Sequence, residues 1–259
     1  MSSPLKLVVN ADDLGLSPEV NREVERLHRL GVLSSATIMA NGKSVDDLLE
    51  LQQRNPELGM GVHLNGTNFK AFTPLMRKSR LCDENGDFNS SFRGEMSLGM
   101  TAVLADEWIR QVEYLLELGI VLDHLDSHHH VHTWPFALPA LAKVSRTTGL
   151  RWVRNTRNFV SREEKRGVGG VLKYSGKAFW SHSVSQLGMR LTDGFCSVYD
   201  FSVWRRLHPE EIPSLSTLEL MCHPGDFGNL EYVEECSWLE EYLPKILDVG
   251  VELVPYSKL

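Results

Sequence analysis

The chain has 259 residues, 42% hydrophobic and 24% charged, an ordinary globular composition with enough length for a large core. A formal net charge of -7 argues against a nucleic-acid or anionic-membrane partner, and no apolar run approaches the roughly 18 residues of a transmembrane helix. The first residues, Met1-Ser2-Ser3-Pro4-Leu5-Lys6, lack a signal-peptide pattern, and Cys82, Cys196, Cys222 and Cys236 are scattered with no Cys-x-x-Cys pair, so a cytoplasmic protein with reduced thiols is expected.

Leu5 to Val9 is the first predicted strand, and it ends in Asn10-Ala11-Asp12-Asp13-Leu14-Gly15. Ser17-Pro18 then supplies an N-cap and a proline at the first helical position. Val20, Val24, Leu27 and Leu30 fall on one face of the helix that follows, and Gly31 stops it. Ser35 to Ala40 reads as a second strand, Asn41-Gly42 as a turn, and Ser44 to Arg54 as a helix. Gly59 to Leu64 is a third strand carrying His63 near its end. Residues 65–100 have weak periodicity and read as a loop excursion.

Thr101 to Leu118 is an amphipathic helix, and the apolar run Ile120-Val121-Leu122 reads as the fourth strand. Pro135 to Thr148 is predicted helical and Arg151 to Arg154 a short fifth strand. Residues 155–190 are basic and irregular, with Gly167, Gly169 and Gly170 close together, and read as a lid or a partner surface. A helix from Pro209 to Leu215, a strand from Leu218 to Met221, a helix from Tyr232 to Asp248 and a strand from Val251 to Val254 complete the pattern. Strands alternating with helices imply parallel strands with helices packed around them. No Gly-rich phosphate loop follows the first strand, so a dinucleotide-binding reading has no fingerprint. The expected fold is α/β: one domain spanning residues 1–259, an irregular TIM-like (β/α) barrel.

The chemistry concentrates in Asp123-His124-Leu125-Asp126-Ser127-His128-His129-His130-Val131-His132, which puts five histidines and two aspartates into ten residues. Neutral imidazole is the commonest protein metal ligand and carboxylates complete such shells, so the stretch points to a metal site rather than a solvated loop. Three further strand ends carry polar groups: Asp12-Asp13, His63, and His223 with Asp226. In a parallel barrel all C-terminal strand ends open onto one face, so these groups are expected to converge. Taken singly, Asp12-Asp13 is an ordinary turn or helix cap and His223-Pro224-Gly225-Asp226 ordinary turn chemistry. His28 and His208 read as surface residues. Cys222-His223 is discounted as a nucleophile and base because adjacent strand residues face opposite sides. The tryptophans read as packing, except Trp134, which follows the histidines directly.

Val9-Asn10-Ala11-Asp12-Asp13-Leu14-Gly15, Gly61-Val62-His63-Leu64, His124-Leu125-Asp126-Ser127-His128-His129-His130-Val131-His132 and Glu219-Leu220-Met221-Cys222-His223-Pro224-Gly225 together resemble the YdjC/ChbG-like family of carbohydrate deacetylases. Leu14 stands where that family usually has Phe. The resemblance implies a divergent (β/α) barrel of glycoside hydrolase/deacetylase type, one divalent metal ion, hydrolysis of N-acetyl groups on amino sugars such as chitooligosaccharides, and often a homodimer. It maps the metal ligands onto Asp13, His63 and His128. Two imidazoles favour Zn²⁺ or another first-row ion over Mg²⁺ by ligand softness, although Mg²⁺ stays open.

Within that reading Asp12 is the expected base, and His223 the expected acid for the leaving amine, with Asp226 orienting it. Asp126, His130 and His132 are expected behind the ligands or against the substrate. Arg154 is expected to hold Asp12 or a sugar hydroxyl. The competing readings are a barrel metallohydrolase acting on phosphoesters or cyclic amides, with a second ion at His130, His132 and Asp226, and a non-catalytic metal- or sugar-binding protein on the same scaffold.

Overall fold

The computed structural model describes residues 4–89, 98–158, 167–209, 211–225, 228–248 and 250–259. The elements follow in the order β1 (Leu5–Leu14), α1 (Pro18–Arg29), β2 (Ser35–Ile38), α2 (Leu48–Arg54), β3 (Gly59–Leu64), α3 (Pro74–Arg77), α4 (Leu98–Glu117) and β4 (His124–Ser127). A 3₁₀ turn, His128–Thr133, leads to α5 (Leu138–Thr148), β5 (Trp152–Val153), α6 (Gly167–Gln186), β6 (Gly194–Ser197) and α7 (Val198–Leu207). Then come β7 (Thr217–Cys222), α8 (Leu230–Leu247), β8 (Val251–Leu253) and a closing 3₁₀ turn, Tyr256–Lys258. No described helix is long and apolar enough to cross a membrane.

The strands form one sheet in the order β5-β4-β3-β2-β1-β7-β6, with β8 also pairing β1, and every ladder is parallel. β1 is the hub. Lys6 to Ala11 pair β7, while the opposite edge pairs β8 through Leu5–Leu7 and β2 from Asn10 onward. Its length lets one strand serve three partners, and Leu7, Val8, Val9 and Ala11 are almost fully buried. The sheet curls but does not close as the expected TIM-like barrel would. β5 is two residues long, and among the described residues the backbone bridges between the β5 and β6 sides are the isolated Trp152↔Arg190 and Asn158↔Phe195.

Several elements differ from the sequence reading. Val121 is exposed and the run 120–122 is a connection; β4 begins at His124, so the polar residues His124 and Asp126 are themselves strand residues with no exposure. β6 and α7 were not predicted, because Gly194-Phe195-Cys196-Ser197 is short and the segment after it lacks a clear stripe. The helix expected at 209–215 does not form among its described residues. Conversely, residues 167–186 of the expected irregular segment are the helix α6, despite its glycines, and α3 interrupts the first excursion.

The helices fix the loops above the sheet. Ser17 accepts the Val20 N–H as the N-cap of α1, and Val20, Val24 and Leu27 go into the core. α4 buries two polar side chains and one indole for a purpose. Glu107 accepts the N–H groups of Phe72 and Thr73 at 2.8 and 2.7 Å, and Gln111 accepts the N–H of Asn65 at 2.9 Å and donates to its carbonyl. Trp108 donates to that carbonyl as well. The loop after β3 is thereby clamped to α4, its buried backbone groups satisfied by side chains.

Candidate active site

Four strand ends deliver the site, as parallel topology requires. β1 brings Asp12 and Asp13, β3 brings His63, β4 and its turn bring Asp126 and His128, and β7 leads into His223. Asp13 has φ +65°, a left-handed conformation that costs an L-residue on the order of 1 kcal/mol. This twist at the strand end lets adjacent carboxylates face different groups. His129 and His130 are also left-handed, at φ 54° and 53°, so the 3₁₀ turn is kinked just after His128.

Asp13, His63 and His128 offer one ligand atom each, all within 4.8 Å of one another. His128 Nδ1 and His63 Nε2 approach Asp13 Oδ1 at 2.9 and 3.3 Å. Neither ring is aligned to donate to it, and Oδ1 is buried with no hydrogen-bond partner. An oxygen crowded by two imidazole nitrogens without sharing a proton is the arrangement a cation resolves, so these residues fit a divalent ion. Burial raises the Asp13 carboxyl, yet the His128 and His63 rings beside it hold it well below the usual carboxylate range.

Each candidate ligand is held from behind. His63 Nδ1 lies 2.7 Å from Asp126 Oδ1, which fixes the proton there and turns Nε2 inward. Thr37 Oγ1 donates to Asp126 Oδ2 at 3.0 Å and accepts from Asn10 Nδ2 at 3.2 Å. Asn68, on the loop clamped by α4, places its amide 3.0 Å from His128 Nε2. The atom placed there is Nδ2; a half-turn of the amide would bring its oxygen to the ring, leaving the His128 proton on Nε2 and the Nδ1 lone pair toward the site.

Arg154, fully buried, ties the base of the site together. Its Nη1 and Nη2 meet Asp12 at 2.7 and 2.6 Å, Nη1 meets Asp126 Oδ2 at 2.7 Å, and Nε meets Glu219 Oε1 at 2.8 Å. Tyr256 donates to the other Glu219 oxygen. Burial raises the Asp12 carboxyl, but Arg154 and then His63 bring it below its ordinary value, so Asp12 is ionised at neutral pH. Asp12, His63 and Asp126 form another acidic-histidine grouping. The guanidinium already supplies its positive charge.

His223 Nε2 lies 3.9 Å from Asp12 Oδ2 on the opposite flank from His63, and its ring stacks on Tyr232. Its loop presses against α1 at Gly225, where φ is +87° and an added Cβ would lie 2.6 Å from Val20 Cα. Asp226, the expected orienting residue, lies outside the described residues. Glu235 of α8, 3% exposed, lies beside His223: Oε2 accepts the His223 backbone N–H at 3.1 Å and lies 3.7 Å from its Nδ1, while Oε1 accepts the Tyr199 N–H at the start of α7. Burial lowers the His223 ring, but Glu235 and then Asp12 raise it above its ordinary value.

The other histidines of the cluster part company. His132 is locked in place, its Nδ1 on Ser127 Oγ and its Nε2 3.4 Å from the Arg154 carbonyl, and burial pushes it down to about 4. His130 is pushed down to about 3 by burial and Arg154, packs edge-on against Phe195, and has a buried Nδ1 without a partner. Both His132 nitrogens are thus engaged, and Asp226, the third residue expected at a second ion, lies outside the described residues. His124 stacks on Tyr256 and pairs with Asp123, away from Asp13.

Sequence reasoning missed Thr37, Asn68, Glu219 and Glu235. Thr37 had a signal, since Ser35 and Thr37 alternate along β2. Glu235 had none, being one acid among several in α8.

A curled parallel α/β sheet with an Asp-His-His cluster at its C-terminal strand ends defines the class of scaffold. The chain belongs to the YdjC-like protein family, whose sequence model matches residues 6–242. A carbohydrate deacetylase of Vibrio cholerae is 38% identical over 144 residues, covering 55% of this chain and 56% of that protein, so the chain spans about half the length of that curated relative. A carbohydrate deacetylase of Halalkalibacterium halodurans is 29% identical over 228 residues, 85% of each chain. Among solved structures, an Enterococcus faecalis protein named for cellobiose-phosphate cleavage shares the fold, with a TM-score of 0.74 over 99% of both chains at 23% identity.

Proposed function

We propose that this protein is a metal-dependent hydrolase that removes an N-acetyl group from an acetylated amino sugar, with chitooligosaccharides as the substrate class. The observation that carries the reading is the orphaned Asp13 Oδ1 between His63 and His128, placed within reach of an ionised Asp12 and an imidazole acid. The names of the two deacetylase relatives support the substrate chemistry.

Asp13, His63 and His128 would hold the ion. Bound there, a divalent ion polarises the acetyl carbonyl and makes a water more acidic. Asp12 takes the proton from the attacking water as its oxygen bonds to the acetyl carbon; Arg154 keeps that carboxylate charged and aimed. His223 gives its proton to the nitrogen as the C–N bond breaks, and acetate and a free amine leave. Glu235 sets the orientation of His223 and favours its protonated form. Asp126 and Asn68 fix the rings of His63 and His128.

Incubation with N,N′-diacetylchitobiose should release acetate and expose primary amine in equal amounts. Absence of both from that sugar and its longer homologues, with inorganic phosphate released from phosphate esters instead, would reject the reading.

A further inference from the structure

Asp123 and His124 open the histidine run, yet the chemistry above leaves both unused. They stand at the entry to β4, where His128 stands at its exit. His124 stacks on Tyr256 with ring centres 4.1 Å apart and planes at 17°, and its Nδ1 lies 2.6 Å from Asp123 Oδ1. The second oxygen, Asp123 Oδ2, accepts the Ser257 N–H at 3.1 Å. The pair thus grips the 3₁₀ turn Tyr256–Lys258 by ring and by backbone, and seats the fully buried Tyr256 beside Glu219 of β7.

From Tyr256 a line of hydrogen bonds runs to the base. Tyr256 Oη donates to Glu219 Oε2, Arg154 Nε donates to Glu219 Oε1 at 2.8 Å, and Arg154 Nη1 and Nη2 reach Asp12 Oδ2 and Oδ1 at 2.7 and 2.6 Å. Burial and the Glu219 charge push the Tyr256 hydroxyl well above the usual phenol range, so it stays a donor. A guanidinium is planar and rigid, so the direction of its Nε–H sets the plane in which its fork meets a carboxylate. Asp126 Oδ2, 2.7 Å from Nη1, competes for that fork. Glu219 opposes the pull only while its own carboxylate cannot turn, and the Tyr256 hydroxyl holds the oxygen that would otherwise be loose.

We infer that Tyr256 is a positioning residue: through Glu219 and Arg154 it aims the carboxylate of Asp12. The inference rests on the deacetylase reading for the task of Asp12. It also gives Asp123 and His124 their use, as the seat of the turn that carries Tyr256.

Tyr256→Phe keeps the ring on His124 and removes only the hydroxyl. Acetate release from N,N′-diacetylchitobiose should lose about tenfold or more in kcat, with KM and bound metal unchanged. In proton–nitrogen NMR of the intact protein the Arg154 Nε–H, assigned by its loss in Arg154→Lys, should exchange with solvent at least about tenfold faster in the variant. In an Asp12→Asn background the same change should cost under about twofold in kcat, because no carboxylate remains to be aimed; a residue that only supports the fold would cost equally in both backgrounds. Glu219→Gln breaks the same line at its middle and should reproduce the kcat loss. Full kcat in Tyr256→Phe, an unchanged Arg154 signal, or equal losses with and without Asp12 would overturn the inference. Faster exchange at Arg154 in a protein that releases no acetate would keep the linkage and reject the deacetylase reading; acetate release untouched by Tyr256→Phe would do the reverse.

Discussion

Replacing Glu235 with Gln probes the acid side of the site, where the sequence offered no warning. The carboxylate lies 3.7 Å from His223 Nδ1, an ion-pair distance rather than a hydrogen bond. Two unit charges at that separation attract by about 4 kcal/mol at an effective dielectric of about 20, a ceiling that water lowers because the His223 side chain keeps 20% of its exposure. Even about a quarter of that ceiling corresponds to nearly one pH unit, since one unit of pKa is about 1.4 kcal/mol. Glutamine keeps the volume and can keep its oxygen on the His223 N–H at 3.1 Å, giving up the longer Tyr199 contact at 3.4 Å, so the fold should survive with a modest loss of stability. The sign follows from the raised His223 value: its protonated form persists above the ordinary histidine range of about 6.5 and is lost as pH rises through the folded-state value. Without the carboxylate that value falls back. The alkaline limb of kcat for acetate release should therefore move at least about one unit toward acid, with kcat near its alkaline edge down about tenfold and KM little changed. The assay is kcat and KM across the pH range alongside wild type. An alkaline limb that stays where it is would refute the pairing of Glu235 with His223.

Asp12→Asn should retain metal, by elemental analysis, and lower kcat by about 10²-fold or more, the usual worth of a positioned base; full turnover would remove Asp12 from that role. Arg154→Met leaves three buried carboxyl groups, on Asp12, Asp126 and Glu219, without their shared cation. Loss of one partner of a buried ion pair costs about 3–5 kcal/mol, so a calorimetric scan should show a Tm lower by at least about 6 °C, and an unchanged Tm would contradict the charge assignment. Asn68→Ala removes the amide that fixes the His128 ring and should weaken metal binding about tenfold by competition with a chromogenic chelator; unchanged affinity would place Asn68 outside the site's support.

Much of the site was legible because parallel strands deposit their C-terminal residues on one face. The pair Asp12-Asp13, His63, the pair Asp126 and His128, and His223 lie far apart in sequence and meet for that reason. The repeat of apolar run, polar tail and amphipathic helix also placed most of the elements. What escaped notice has local causes. β6 and α7 lack a clean period. α6 carries enough glycine to read as irregular. Closure of the sheet depends on whether the outer strands pair, and the two-residue β5 does not supply a ladder. The run Ile120-Val121-Leu122 looked like the strand, but the register with β3 begins only at Leu125 and that with β5 at His124, so the polar residues inherited the buried positions. Glu235 could not be singled out, because nothing in a helix's sequence marks which of its acids will face a histidine across the fold.

The central claim is that one ion held by Asp13, His63 and His128 drives the release of acetate. Its most direct test is acetate release from N,N′-diacetylchitobiose by wild type and His63→Ala, before and after chelation, with Zn²⁺, Mg²⁺, Mn²⁺ and Co²⁺ restored in turn and bound metal counted in parallel. The account predicts one equivalent of metal in wild type, activity that vanishes with chelator and returns with an added ion, and a variant that has lost both. Acetate release that persists without metal, or a His63→Ala protein that keeps its full metal content and turnover, would contradict it.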